Sequence, residues 1–390
     1  MAKKVPIPST LSLAAFFVRI ATAAVYRALT YPIRRLTNSP RAPTFTKDVF
    51  FAAVRAGCDV VQIAHSRYLM PSTTDLYHQF CAANKIAPRS LEVSLPDSKD
   101  VVAAHWIGEP DADVVVLYFH GGGYTQAGTE GYLRFWTQTV KDLNTGSRIM
   151  AVLQLAYSLA PEAQYPRQLQ ESAAVLAHLI AAERSPSSII LAGDSAGGNM
   201  VLSLLSHVLH PHPSGDVARI ELNQEKIGGA LMISPWVTFS QEHESFTNNR
   251  GKDMLSPRQL RRYAGMFLAP SSNPETDPGR VHGDAYTEPL HNDPSWWKGL
   301  PRVVSEVLVW SGGNELFADA IADFEWVFRE GWCQGGDEDG GDECENVVFV
   351  QSPERAHIEP ILSVMLEQGV KGKHQTVIEE WMKARLEKSG

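Results

Sequence analysis

Four cysteines in 390 residues, Cys58, Cys81, Cys333 and Cys344, are too few to staple a chain of this length, which excludes a disulfide scaffold. Cys333 and Cys344 flank one acidic tract and could bridge it in an oxidising compartment, but reduced thiols are the expectation. No Asn-x-Ser/Thr sequence occurs, which argues against a glycosylated luminal domain. The chain is acidic overall and its balance points to no basic patch: 35 Lys and Arg face 44 Asp and Glu, for a net charge of −9. The electrostatic footprint of a nucleic-acid-binding protein is therefore missing, and no nucleic-acid partner is expected. Nor do the 13 histidines pair with cysteine or carboxylate at metal-ligand spacing, so neither a metal nor any other cofactor is expected. No internal repeat is visible.

What is present suffices for a large core: 44% of residues are apolar and 20% charged. Strand-like runs at Val101–Ile107, Asp113–Phe119, Ile149–Leu155, Ser188–Ala192, Ala230–Ser234, Val303–Trp310 and Val347–Val350 are separated by helix-length segments. That alternation predicts an α/β fold, a mostly parallel sheet covered by helices on both faces.

Two glycine-rich segments sit at the ends of such strands. Gly193-Asp194-Ser195-Ala196-Gly197-Gly198 lies between an apolar run and a helical pattern, the strand-to-helix setting of a G-x-S-x-G nucleophile turn. His120-Gly121-Gly122-Gly123 follows the run ending at Phe119. Consecutive glycines can turn backbone N–H groups toward the charge that develops on a carbonyl oxygen, at about 3–4 kcal/mol per donor. The expected nucleophile is Ser195, and the expected oxyanion donors are the amides of Gly122, Gly123 and Ala196.

A third segment, Tyr157-Ser158-Leu159-Ala160-Pro161-Glu162 followed by Tyr165-Pro166, completes a pattern. With HGGG and GDSAGG it resembles the Y-R-L-A-P-E…F-P signature of the hormone-sensitive-lipase-like branch of the α/β-hydrolase fold, over roughly residues 90 to 390. Ser158 replaces the arginine of that signature. The resemblance implies a serine carboxylesterase with a helical cap, and a triad in the chain order Ser, acid, His.

His357, after the Val347–Val350 run, is the expected base. The acid is expected in Ser311-Gly312-Gly313-Asn314-Glu315-Leu316-Phe317-Ala318-Asp319. Asn314 stands where the family usually has aspartate, and an amide cannot stabilise an imidazolium. Glu315 is therefore the chosen acid, as in fungal-type members with a G-x-x-E pattern here, with Asp319 as its alternative.

The organisation expected is an apolar amino-terminal helix in residues 1–40, a cap segment in 41–90, and a catalytic domain in 91–390. The last is interrupted by a second cap segment near 238–299, with a helix about Pro257–Leu268, and by a polar, acidic loop at 331–345. Phe50, Phe51, Tyr68, Tyr263, Phe267 and Trp296 are candidates to contact substrate. Residues 11–29 form an apolar window broken by Arg19 and Arg27; it either meets a membrane surface or packs on the cap, giving a cytoplasmic or endoplasmic-reticulum-membrane-associated protein. The expected partner is a small-molecule ester of an apolar alcohol, such as a sterol, lipid or secondary metabolite. Two other readings use the same scaffold: a non-hydrolytic biosynthetic enzyme, kept open by Asn314, and a ligand-binding receptor.

Overall fold

The computed structural model describes residues 7–96, 99–268, 281–335, 343–366 and 373–388. Its frame is an eight-stranded sheet: β1 (Ser90–Ser94), β2 (Val101–Ile107), β3 (Val114–Phe119), β4 (Met150–Leu155), β5 (Ile189–Asp194), β6 (Gly229–Ile233), β7 (Val307–Gly312) and β8 (Val347–Ser352). Their spatial order is β1-β2-β4-β3-β5-β6-β7-β8. β2 runs antiparallel to both β1 and β4, and all the other pairs are parallel. The twelve helices among the described residues are α1 (Thr10–Leu36), α2 (Phe45–Val60), α3 (Ile63–Leu69), α4 (Thr73–Asn84), α5 (Glu130–Leu143), α6 (Arg167–Ala181), α7 (Ala196–Leu209), α8 (Ser245–Asn248), α9 (Pro257–Leu268), α10 (Ala318–Cys333), α11 (Glu359–Leu366) and α12 (Lys373–Lys388).

The central strands are apolar on both faces because both faces are covered. Every residue of β3, Val-Val-Val-Leu-Tyr-Phe, is buried. Alternate residues join separate cores: Val115, Leu117 and Phe119 pack with α6 and α7 residues such as Leu176 and Leu204. Val114, Val116 and Tyr118 pack with Trp136 of α5 and Met382 of α12. This is the burial pattern of a doubly covered parallel sheet.

Register carries the site. Phe119 pairs with Gly193, so the chains leaving β3 and β5 start side by side at one sheet edge. Gly312 pairs with Ser352, so the loops after β7 and β8 leave together at that same carboxyl edge, where ligands collect in open α/β sheets.

The differences from the expected elements have local causes. β1 gives little pattern, because only Val93 of Ser-Leu-Glu-Val-Ser is buried in this edge strand. β7 starts at Val307 rather than Val303, because Leu300–Arg302 form a 3-10 turn with Pro301 in its first positions. Cys333 and Cys344 are joined by a disulfide, contrary to the expectation of reduced thiols: the end of α10 and the turn before β8 bring them together. Most of the acidic tract between them, residues 336–342, lies outside the described residues.

Helix α1 is capped by Ser9, whose side chain accepts from the Ser12 amide, and it lies along α2 rather than in the sheet core. It is long and apolar enough to cross a membrane.

Candidate active site

Ser195 occupies the turn between β5 and α7 with φ 52° and ψ −116°. Positive φ at a non-glycine residue costs about 1–3 kcal/mol and persists only where the surroundings enforce it. Here they do: the Ser195 amide donates to the Ile233 carbonyl at 2.9 Å, and its carbonyl accepts from the Trp236 amide at 3.0 Å. The turn also needs bare backbone beside it, since a Cβ on Gly197 would overlap the Phe119 carbonyl.

His357 and Glu315 meet across the β7 and β8 loops. His357 Nδ1 donates to Glu315 Oε2 at 2.7 Å, and Glu315 Oε1 accepts from the Gly312 amide at 2.7 Å. Both side chains are buried. Nδ1 thus carries the proton, leaving Nε2 as the basic nitrogen; it is buried and makes no hydrogen bond. His357 and Ser195 line the same cavity. Burial by itself lowers the His357 pKa, but the hydrogen bond and negative charge of Glu315 outweigh it and hold the imidazole above its ordinary value.

Of the acids considered in this loop, only Glu315 touches His357. Asp319 Oδ2 accepts from the Ser245 amide at 2.7 Å and so holds the start of α8. Asn314 donates its backbone amide to the Arg355 carbonyl at 2.8 Å.

The glycine loop is fastened to the Ser195 turn through Asp194. Its Oδ1 accepts from the Gly121 amide at 2.9 Å and from the Tyr118 hydroxyl at 2.5 Å. Complete burial raises the Asp194 pKa to about 6. His120 is structural: Nδ1 donates to the Gly121 carbonyl at 2.7 Å, and the ring stacks on Tyr157 at 4.3 Å. Burial lowers its pKa to about 4, so it stays neutral. Gly122 and Gly123 line the cavity at φ 108° and 58°. A Cβ on Gly123 would strike the Tyr263 ring. Ala196 is the first residue of α7, where backbone N–H groups have no intrahelical acceptor.

The cavity has a volume of about 710 Å³. Its walls come from α1 (Phe16, Ile20), α2 (Phe50, Val54) and α9 (Leu260, Tyr263), so both segments expected to form a cap contribute. Of the six aromatics proposed for substrate contact, Phe50 and Tyr263 line it. Phe51 packs with Ala42 and Ala356, Phe267 stacks on Tyr124 at 3.8 Å, and Trp296 lies against His210 at 4.0 Å. Tyr68 is more than half exposed and is absent from the lining. Among the described residues no group of three or more His, Cys, Asp or Glu could hold a metal ion.

A family model of the alpha/beta hydrolase fold matches residues 116–336. The chain belongs to the α/β-hydrolase family, in its hormone-sensitive-lipase-like branch. It is 28% identical over 218 residues to an acetyl-hydrolase of Streptomyces hygroscopicus, covering 55% of this chain and 62% of that one. It is 34% identical over 124 residues to hormone-sensitive lipase of Bos taurus, covering 30% of this chain and 14% of that one. The chain thus spans less than two thirds of either relative. The solved structure of an esterase from the bacterial hormone-sensitive lipase family superimposes with a TM-score of 0.58 at 21% identity, covering 88% of this chain and 99% of that one.

This α/β-hydrolase carries a further site residue that no motif announces. Asp253, buried in the loop before α9, accepts from the Leu316 amide at 2.8 Å, the His357 amide at 3.2 Å and the Met254 amide at 2.7 Å. One carboxylate so ties the loops that carry Glu315 and His357 together, while its negative charge adds to the upward push on His357. Its only sequence signal is an aspartate in a polar segment, with nothing to mark burial. Asp253→Asn exchanges an acceptor oxygen for a donor facing backbone N–H groups. It is expected to lower kcat by about 10²-fold, the order seen when reacting groups shift by an ångström, with a smaller change in KM. Removing the charge moves the acid limb of the pH–rate profile to lower pH. A profile unchanged in both height and position would contradict a positioning role.

Proposed function

We propose that this α/β-hydrolase is a carboxylic ester hydrolase working through an acyl-enzyme on Ser195. The observation that carries the reading is the buried pair Glu315–His357 at 2.7 Å, with the free Nε2 of His357 in the cavity that Ser195 lines. Ser195 Oγ attacks the ester carbonyl carbon as His357 Nε2 takes its proton. The carbonyl oxygen, now anionic, is held by the amides of Gly122, Gly123 and Ala196. Collapse of the tetrahedral species breaks the bond to the alcohol oxygen, which leaves with the proton from Nε2. A water, deprotonated by the same nitrogen, then releases the acid and restores Ser195. Glu315 stays ionised, orienting the ring and stabilising the imidazolium.

The non-hydrolytic reading draws on Asn314; the contact made by Glu315 supports hydrolysis instead. An apolar alcohol portion suits walls built from Phe16, Phe50, Val54, Met254 and Leu260, and a short acyl group suits the likeness to acetyl-hydrolases. Such a cavity takes a ligand of the size of a sterol or a medium-chain lipid ester. Initial rates on p-nitrophenyl acetate, butyrate and octanoate test this. Acetate and butyrate are expected to turn over faster than octanoate, and a phosphonate ester should stop the reaction with one adduct on the Ser195 peptide. Absence of turnover on all three, with no adduct, would refute ester hydrolysis.

A further inference from the structure

Helix α1 has two apolar faces, and only one is used inside the protein. The inner face gives Phe16 and Ile20 to the cavity wall. On the outer face Leu11, Val18, Val25, Leu29, Ile33 and Leu36 are each more than half exposed. Their spacings of three, four and seven residues place them on one stripe along a helix of about 40 Å, at 1.5 Å per residue. A continuous exposed apolar stripe of this length marks an interaction surface. The segment that carries it is charged with one sign: residues 1–47 hold eight Lys and Arg and no Asp or Glu, against 27 Lys and Arg and 44 Asp and Glu in the rest of the chain. Two of the eight, Arg27 and Lys47, are buried in ion pairs, with Asp48 and Glu359. Within the stripe's own helix, Arg19 and Arg35 are exposed.

Other contacts keep this helix flat against the body. Arg27, buried, donates to Asp48 at 2.6 and 2.7 Å and to the Gly251 carbonyl at 2.6 Å, and Ser12 Oγ lies 2.7 Å from His65 Nε2. A transmembrane orientation would break these bonds and strip Phe16 and Ile20 from the cavity. The mouth of the cavity is marked by residues that both line it and are exposed: Phe17 of α1, Leu69 at the end of α3, and Met70.

We infer that the outer face of α1 seats this protein on an anionic lipid bilayer, with the helix in the interfacial plane and the cavity mouth beside the lipid. An amphipathic helix with an apolar stripe and cationic flanks binds in this way, and basic residues near the surface strengthen it for anionic lipids. If the ester-hydrolase reading holds, the substrate is an ester dissolved in that bilayer, entering past Phe17, Leu69 and Met70. The surface itself does not depend on that reading.

The test is flotation of the full chain with vesicles of phosphatidylcholine alone and of phosphatidylcholine with phosphatidylserine. The wild type should float with the anionic vesicles and much less with the neutral ones. The double variant V25E/L29E should lose this association at least tenfold, while hydrolysing soluble p-nitrophenyl butyrate as the wild type does, since neither residue lines the cavity. Equal binding to both vesicle types would overturn the anionic surface. So would no binding to either, or a wild-type dimer in light scattering that V25E/L29E dissociates, which would assign the stripe to a second copy. If soluble ester is not hydrolysed, the catalytic reading fails and the flotation result stands on its own.

Discussion

Ser195→Ala is expected to lower kcat on p-nitrophenyl butyrate by about 10⁶-fold, the loss seen when a serine nucleophile is removed from a comparable triad. The size follows from what the side chain alone supplies. The elbow, the glycine loop and the His357–Glu315 pair remain, yet no covalent intermediate can form, and His357 is left to activate water at a position the site was not built for. A residual rate of about 10³–10⁴ over water is expected from the oxyanion donors and binding. The fold should be indifferent, because the backbone of Ser195, not its hydroxyl, makes the bonds to Ile233 and Trp236. Melting temperatures of the two proteins should therefore agree, whereas Ser195→Gly should melt higher because glycine adopts φ 52° freely. A Ser195→Ala protein within tenfold of wild type would remove the acyl-enzyme from consideration.

How much of this was legible in the sequence depends on whether a residue's role lies in its local pattern. The parallel strands were legible because burial on both faces leaves unbroken apolar runs, as in Val114–Phe119. The edge strand Ser90–Ser94 was not, since one buried residue makes no pattern. Ser195 and the glycine loop were legible because a strained turn and a close backbone approach restrict residue type. Glu315 could be chosen over Asn314 on charge but not over Asp319, since only the fold shows which carboxylate meets His357: one Glu315 oxygen reaches Gly312 while the other reaches His357. Asp253 was illegible because its partners Leu316 and His357 are 63 and 104 residues away. The aromatic lining was only partly legible, because Phe50 and Phe51 are adjacent in α2 and point to different surroundings, one to the cavity and one to the core. The two faces of α1 were equally hidden: apolar residues fall on both sides of it, and only its contacts with α2, Asp48 among them, reveal which side is left over.

Glu315→Gln is expected to lower kcat by about 10⁴-fold, the loss measured for the corresponding acid-to-amide change in a serine triad. The amide keeps the size of the side chain but reverses the hydrogen bond it prefers. If its NH2 group faces His357, Nδ1 becomes the acceptor and the proton moves to Nε2, the nitrogen that must take the Ser195 proton. The pH profile separates this from simple misfolding. In the wild type only neutral His357 can act as base, so kcat/KM rises with pH through the His357 pKa. Because Glu315 holds that pKa above the ordinary imidazole value, the rise is centred above pH 6.5. Without the carboxylate, burial is the dominant influence left and it lowers the pKa, so the residual activity of Glu315→Gln should rise at lower pH than in the wild type. Raising the pH cannot restore the rate, since the loss lies in tautomer and imidazolium stabilisation rather than in the fraction of neutral His357. Asp319→Asn, which alters only the contact with the Ser245 amide, should keep kcat within a few-fold of wild type and leave the profile in place. Full turnover in Glu315→Gln together with its loss in Asp319→Asn would transfer the acid to Asp319.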